Sequence, residues 1–370
     1  MTNRISFFIR SLNGAGAQRV MVRLATGFAE AGFAVEVVTL QPEGNFREEL
    51  SPKVTLTTLG PKRILGAIPA LARHLRRERP SAMLVTEPAS NVAVVLAKLL
   101  SRSPSRIMIR ESSYPSVTVK GSSFRSTRFA YRLAPFFYRH ADVIVAIASD
   151  MTDDLARFAR LDSARITTIP LNPVVTPMLR ECAADTPDHP WFDGDIPVVL
   201  GVGRLDYQKD FATLLRAFDR VRATRPCRLL ILGDGPLRAE LEAVRAESAY
   251  AGDIDLPGFV GRPFSYMAHC DAFVLPSRYE GQPNVLIEAL ACGAPVVATD
   301  CPSGPREVLS SGEYGRLVPV GDVEAMATAI EATLDDPIDR TRSMARGCEF
   351  TLANSTALYV KALYPDNPAP

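Results

Sequence analysis

Two carboxylates, Glu280 and Glu288, bracket seven residues in the stretch Ser277-Arg278-Tyr279-Glu280-Gly281-Gln282-Pro283-Asn284-Val285-Leu286-Ile287-Glu288-Ala289-Leu290. Carboxylates are poor partners for phosphate and good acceptors for hydroxyls, so such a pair around an anion site suits a ligand carrying sugars on either side of a diphosphate. The anion site follows from the elements that must position the pair. The apolar run Asp271-Ala272-Phe273-Val274-Leu275-Pro276 reads as a buried parallel strand, and 284–292 reads as the helix after it. Pro283 suits the first helical turn, where its missing N–H would have had no partner. The remaining N–H groups of that turn, at the positive end of the helix dipole, attract an anion. Glu280 precedes the turn, and Glu288 falls one helical turn after Asn284 on the same face.

A second basic element lies upstream. The run Pro197-Val198-Val199-Leu200-Gly201-Val202 ends in Gly203-Arg204, and Lys209 follows five residues later. Arginine offers a planar fork to two phosphate oxygens and lysine a compact point charge, so together they can neutralise a diphosphate leaving group. Taken alone, such a pair is as well explained as surface charge. Two more strand exits follow, Leu230-Ile231-Leu232-Gly233-Asp234-Gly235-Pro236 and Leu256-Pro257-Gly258-Phe259-Val260, and then a helix end that leads into a strand, Cys292-Gly293-Ala294-Pro295-Val296-Val297-Ala298-Thr299.

In this order the segments resemble the motifs of retaining glycosyltransferase family 4, the group 1 glycosyltransferases of GT-B fold, including their E-x7-E motif. The resemblance covers most of residues 197–320. It is looser in the N-terminal half, where it rests on Gly14-Ala15-Gly16-Ala17-Gln18-Arg19 and on alternating strands and helices. It implies an α/β protein with two Rossmann-like domains facing each other across a cleft, the donor held by the C-terminal one. It assigns Glu280, Arg204 and Lys209 to catalysis and Glu288 to the ribose hydroxyls, although a structural salt bridge is the other reading of Glu288. Gly203, Asp234, Gly258, Phe259, Val260, Gly281, Gln282, Pro283, Asn284 and Val285 complete the donor site it implies. Gln282 stands where many relatives carry an apolar residue, which leaves the sugar open. The implied reaction moves a sugar from a nucleoside diphosphate sugar, a UDP-sugar foremost, to a hydroxyl of a glycan or lipid-linked saccharide in cell-surface polysaccharide or lipopolysaccharide assembly. The departing diphosphate would take the acceptor proton, so no metal and no cofactor beyond the co-substrate is expected. A sugar-nucleotide epimerase of the same architecture, or a non-catalytic nucleotide-sugar-binding scaffold, would keep much of this site.

On the acceptor side the resemblance points to Gly14, Gly16 and Arg19 after the first strand. As a dinucleotide fingerprint this loop fails, because the third glycine would fall at Arg19 and no acidic residue closes the second strand. Arg110 and Glu111 end the strand Arg106-Ile107-Met108-Ile109 and should reach the same cleft. Glu111 either serves acceptor activation or pairs with Arg110, and the pair is the more ordinary explanation.

The 370 residues, 47% hydrophobic and 22% charged, suffice for two domains. Strands at 5–9, 34–40, 54–58, 82–86, 106–110, 142–147 and 165–169 alternate with helices, and a second alternation runs from 197 to 335. The domains read as 1–170, binding acceptor; a linker at 171–195; 196–350, binding donor; and a C-terminal helix in 351–370 that crosses back. Six cysteines and four histidines show no metal-ligand spacing. No run approaches a membrane span and no signal peptide is evident, so a cytoplasmic protein is expected.

The net charge of +1 conceals an asymmetry. Residues 1–170 carry 24 Lys and Arg against 13 Asp and Glu, a net of +11, and the remainder carries a net of −10. That field attracts an anionic membrane surface, a lipid-linked phosphate or a nucleic acid, or else the arginines simply solvate helix faces; with the resemblance, the membrane or lipid-linked acceptor is expected and no nucleic acid partner is. Arginines and aromatics interleave in 120–139, which reads either as a helix at the inner face of a membrane or as one packing its aromatics inward.

Overall fold

The computed structural model describes residues 4–13, 16–121 and 125–365. The chain divides into two compact units, one formed by residues 1–173 and 351–370 and the other by residues 174–350.

The first unit is built on a seven-stranded parallel sheet of β1 (Arg4–Ser11), β2 (Ala34–Gln41), β3 (Thr55–Thr58), β4 (Ala82–Thr86), β5 (Arg106–Glu111), β6 (Val143–Ala146) and β7 (Ile166–Thr168). Its order is β3-β2-β1-β4-β5-β6-β7. Helices cover both faces, which is why the strands are nearly continuous apolar runs. Along β1 the period of two sends Ile5, Phe7 and Ile9 into one core and Phe8 into the other. The first core also receives Phe28 of the helix Gly16–Glu30 and Tyr359 and Leu363 of the C-terminal helix Leu352–Leu363. These two helices touch so closely that a Cβ on Gly27 would lie 2.1 Å from Thr356 Oγ1. The opposite core takes the helices Ile64–Glu78, Pro88–Ser101 and Arg125–Phe137.

The second unit repeats the plan with six parallel strands: β8 (Val198–Val202), β9 (Arg228–Leu232), β10 (Ile254–Gly258), β11 (Ala272–Leu275), β12 (Val296–Thr299) and β13 (Arg316–Val318), in the order β10-β9-β8-β11-β12-β13. The seven strands of the first unit, and β8 and β11 here, lie within a residue or two of the strands expected from the sequence. Short elements escaped it. The segment read as a linker at 171–195 contains the helix Pro177–Ala183, whose cap Thr176 accepts from the Leu179 N–H, and a 3-10 turn at Pro190–Asp193. Two turns of helix carry too little period to be read. Pro135 does not stop the helix Arg125–Phe137, which runs two residues past it.

Candidate active site

In the second unit β8 and β11 are hydrogen-bonded neighbours from which the strand order runs in opposite directions. The loops leaving such a pair separate, and open parallel sheets bind ligands in the gap between them. Residues 203–210 follow β8 and residues 276–283 follow β11. Side chains tie the two loops together. The Arg278 N–H donates to the Gln208 backbone carbonyl at 2.8 Å, and the Gln208 side chain donates from Nε2 to the Tyr279 carbonyl at 3.0 Å. Lys209 Nζ donates to Glu280 Oε1 at 2.6 Å, and Ser277 Oγ donates to the same oxygen at 2.6 Å. Among the described residues the other oxygen, Oε2, takes a long contact from Gln208 Nε2 at 3.4 Å. Behind them Asp210, in the left-handed region at φ +47°, accepts from Arg278 Nη2 and from Thr213 Oγ1, each at 2.8 Å.

The loop after β12 braces this arrangement from the other side. Ser303 Oγ donates to the Gly281 carbonyl at 2.9 Å, and the Glu280 N–H donates to the Pro302 carbonyl at 3.3 Å. Gly304 must be glycine here: its φ is +92°, and a Cβ would fall 2.5 Å from Pro283 Cδ. Burial, with the Glu280 charge adding to it, pushes the Cys301 thiol up to about 12, so it does not compete as a nucleophile.

Across the carboxyl edge of β8, β9 and β10 the glycines form a backbone ladder. The Gly203 N–H donates to the Leu232 carbonyl and the Gly233 N–H to the Gly258 carbonyl. A Cβ on Gly233 would lie 1.8 Å from the Gly203 carbonyl oxygen. The Asp234 carboxylate is occupied in its own turn by the Gly235 N–H at 2.7 Å. Phe259 stands 80% exposed at the end of β10, with Val260 half-buried beside it. Arg204 is also exposed, its nearest acid being Asp206 at 3.8 Å. Pro283 occupies the cap position just before the helix Asn284–Ala291, one place outside the turn expected for it. Gln282 is buried, while Gly281, Asn284, Val285 and Glu288 are half-buried. Glu288 is thus less enclosed than an otherwise apolar helix suggested.

In the first unit the equivalent reversal of order lies between β1 and β4. Gly16 opens the helix after β1 and is exposed; Gly14 lies outside the described residues. Arg19 Nε donates to Glu49 Oε1 at 2.8 Å. Arg110 and Glu111 do not pair and do not line an open strand end. Consecutive strand residues project to opposite faces, and both are buried. Arg110 donates to the Tyr359 hydroxyl at 2.8 Å and to Asn172 Oδ1 at 2.6 Å. Glu111 accepts from the Tyr131 and Tyr138 hydroxyls at 2.8 and 2.9 Å. Burial pushes its carboxyl up to about 7, against those two hydrogen bonds, the Ser112 N–H and the Arg110 charge.

Comparison with known proteins accounts for both halves. Residues 14–171 match the family described as Glycosyltransferase Family 4, and residues 196–336 match the family described as Glycosyl transferases group 1. The chain belongs to the group 1 glycosyltransferases of family 4. Among curated relatives, the Campylobacter jejuni N-acetylgalactosamine-N,N'-diacetylbacillosaminyl-diphospho-undecaprenol 4-alpha-N-acetylgalactosaminyltransferase is 28% identical over 348 residues, 90% of each chain. Among solved structures, the apo lipopolysaccharide outer core galactosyltransferase WaaB aligns with a TM-score of 0.76 at 18% identity, covering 98% of this chain and 100% of that one. Anabaena HepE in complex with UDP-glucose aligns with a TM-score of 0.68 at 18% identity, covering 97% and 95%. These likenesses fix the architecture of this glycosyltransferase as GT-B.

Several groups that shape this candidate site of the glycosyltransferase were not singled out from sequence. Ser277, Gln208, Asp210 and Ser303 hold Glu280 and its loop. The Cys301-Pro302-Ser303-Gly304-Pro305 run signalled a tight turn, but nothing in it said which loop it would brace. Glu87 is the other omission: it directly follows β4, where an acid after an apolar run and before Pro88 was a readable signal.

Proposed function

We propose that this glycosyltransferase moves a sugar from a UDP-sugar to a hydroxyl of a glycan or lipid-linked saccharide, with retention of anomeric configuration, in lipopolysaccharide or polysaccharide assembly. The observation that carries the reading is the Lys209–Glu280 pair at the reversal of strand order, with a carboxylate oxygen turned away from the lysine. A diphosphate entering there would share Lys209 with Glu280 and meet Arg204 and the amino end of the helix Asn284–Ala291. These groups stabilise the charge of the leaving diphosphate without a metal. Glu288 takes the ribose hydroxyls, Glu280 the transferred sugar, and the glycine ladder with Phe259 and Val260 the base. The Campylobacter relative named for transfer to a diphospho-undecaprenol-linked sugar, the lipopolysaccharide outer core galactosyltransferase WaaB and the UDP-glucose bound in HepE support the donor and acceptor classes.

A lipid-linked acceptor places the enzyme at the cytoplasmic face of a membrane, and the first unit offers a surface for it. The helix Arg125–Phe137 turns Tyr131 and Ala134 inward and leaves Arg128, Phe129, Arg132 and Phe136 exposed, with Arg139 in the next turn. Phe129 and Phe136 are each 57% exposed, two turns apart on one face. Residues 122–124 lie outside the described residues. Beside this helix Leu99 and Leu100 are exposed on Pro88–Ser101, which carries no acid; exposed acids return on the other flank, at Asp150 and Asp153. A basic face studded with phenylalanine suits anionic headgroups above an apolar layer. Among the described residues no helix is long and apolar enough to cross a membrane.

Thermal shifts with UDP, GDP, ADP and TDP, beside Glu288→Ala and Glu280→Ala, test the donor reading. UDP at about a hundred times its dissociation constant should stabilise the wild type by about 2.7 kcal/mol. Glu288→Ala should lose that shift, and Glu280→Ala should keep it while losing turnover. Equal loss of UDP affinity in both variants contradicts the division of roles, and loss of turnover in EDTA contradicts the metal-free reading.

A further inference from the structure

At the end of β4 the backbone of Glu87 sits at φ +73°, ψ 133°, a conformation that residues other than glycine rarely hold. Glu87 occupies the cap position of the helix Pro88–Ser101, where a carboxylate ordinarily accepts from the first-turn N–H groups. Its side chain makes no such bond. Glu87 Oε1 instead accepts from Gln18 Nε2, and Oε2 lies 3.6 Å from Arg10 Nε. Arg10 lies near the end of β1, Gln18 in the first turn of the helix after it, and Glu87 beyond β4, so three elements converge where the strand order of the first unit reverses. The cluster is partly open, the Glu87 side chain being 25% and that of Arg10 51% exposed. Burial raises the carboxyl of Glu87, with the Arg10 charge opposing it.

Backbone strain of this kind persists where the surroundings over-determine it, and it collects at ligand sites. The chemistry of the cluster narrows the ligand. A carboxylate at its centre rejects phosphate, and a single carboxylate beside an arginine is a poor cation site. A carboxylate flanked by an amide and a guanidinium offers acceptors and donors together, the pattern that reads neighbouring hydroxyls on a sugar ring.

We infer that Glu87, held by Gln18 and Arg10, binds a hydroxyl group of the acceptor saccharide in the first unit. This rests on the reading of the chain as a transferase to a glycan. Glu87 accepts the hydrogen bond, while Gln18 and Arg10 fix the carboxylate and donate to the adjacent ring oxygens.

The test is saturation-transfer NMR of octyl glucoside, octyl galactoside and octyl N-acetylgalactosaminide on the UDP-saturated enzyme, with wild type, Glu87→Gln and Arg10→Met compared. At least one glycoside should bind the wild type. Glu87→Gln should weaken it by about ten-fold or more, since a hydrogen bond to a charged group is lost, with UDP affinity and thermal midpoint unchanged. A role confined to holding the fold would move the midpoint and leave glycoside binding alone. Arg10→Met alters an exposed side chain and should fold as wild type with weaker glycoside binding. A wild type that binds UDP but none of the glycosides, or two folded variants that bind them as wild type does, overturns the inference and leaves the donor reading standing. A wild type that binds glycosides and no nucleotide defeats the donor reading alone.

Discussion

Lys209 Nζ and Glu280 Oε1 meet at 2.6 Å although 71 positions separate them, one in the loop after β8 and the other in the loop after β11. Their side chains are 15% and 6% exposed, so the pair is largely withdrawn from water. Breaking such a pair from one side leaves an uncompensated charge, whereas replacing both partners removes the problem with the attraction. Lys209→Met should therefore cost about 3 kcal/mol, and Lys209→Met with Glu280→Leu distinctly less. Trp191, the single tryptophan, lies in the second unit and reports its unfolding by fluorescence in denaturant. Additive losses in the double variant would falsify the coupling.

Ser277 is fully buried and shares Glu280 Oε1 with Lys209. Its hydroxyl holds the carboxylate oxygen that faces the lysine, and in the proposed reading that leaves the other oxygen for the sugar. Hydrogen bonds to charged groups contribute about 1.5–3 kcal/mol, so Ser277→Ala should lower kcat by about ten-fold or more. The nucleoside diphosphate itself does not need that orientation, and UDP affinity by calorimetry should stay within about two-fold of wild type by the same reasoning. A parallel fall in UDP affinity and kcat would mean that Ser277 supports the whole loop rather than the aim of Glu280.

The face formed by Phe129 and Phe136 with Arg128, Arg132 and Arg139 should bind vesicles of mixed phosphatidylglycerol and phosphatidylcholine. Each arginine near an anionic surface contributes about 1 kcal/mol, a term that salt screens. Binding should fall about five-fold per arginine replaced by glutamine. Phe129→Ser with Phe136→Ser should weaken it further at high salt, where the apolar term dominates. Cosedimentation is the measurement. Equal retention on pure phosphatidylcholine removes the electrostatic argument, and a double phenylalanine variant that loses a dimer in ultracentrifugation instead of a vesicle would assign the face to a second copy of the chain.

The sheets were legible because strands covered on both faces must be apolar runs, and runs such as 82–86 and 272–275 have no other comfortable place. The loops after β8 and β11 were legible because glycines and prolines mark where strands end, and the resemblance to family 4 motifs singled them out. What could not be read is which loops touch. Nothing local tells that Ser303 will reach Gly281, because that contact depends on β12 lying beside β11. The Arg110–Glu111 reading is different: the alternation of side chains along a strand already excluded it, and proximity in sequence outweighed a stronger rule.

Glu111 yields a pH dependence with a definite sign. Its carboxyl is enclosed by β5 and by the Tyr131 and Tyr138 hydroxyls, with Arg110 the adjacent charge and Asn91 donating to Tyr138 at 3.0 Å. Burial, with the Glu111 charge adding to it, raises both tyrosines well above their ordinary value, so they remain donors. The folded carboxyl titrates near 7 and the unfolded one near 4.5. Between those values the folded chain holds a proton that the unfolded chain has released, so stability is fully present below about pH 4.5 and declines as pH rises, levelling off above about pH 7. The loss is on the order of 3 kcal/mol. Glu111→Gln cannot ionise and should flatten this slope, leaving the variant more stable than wild type at pH 8 and no more stable at pH 4.5. Hydrogen exchange of the amides in β5 and in the helix Arg125–Phe137 reads the first unit separately from the second. Wild-type and Glu111→Gln curves that run parallel from acid to alkaline pH would show that Glu111 is already ionised in the folded chain, its charge carried by the two tyrosine hydroxyls and Arg110.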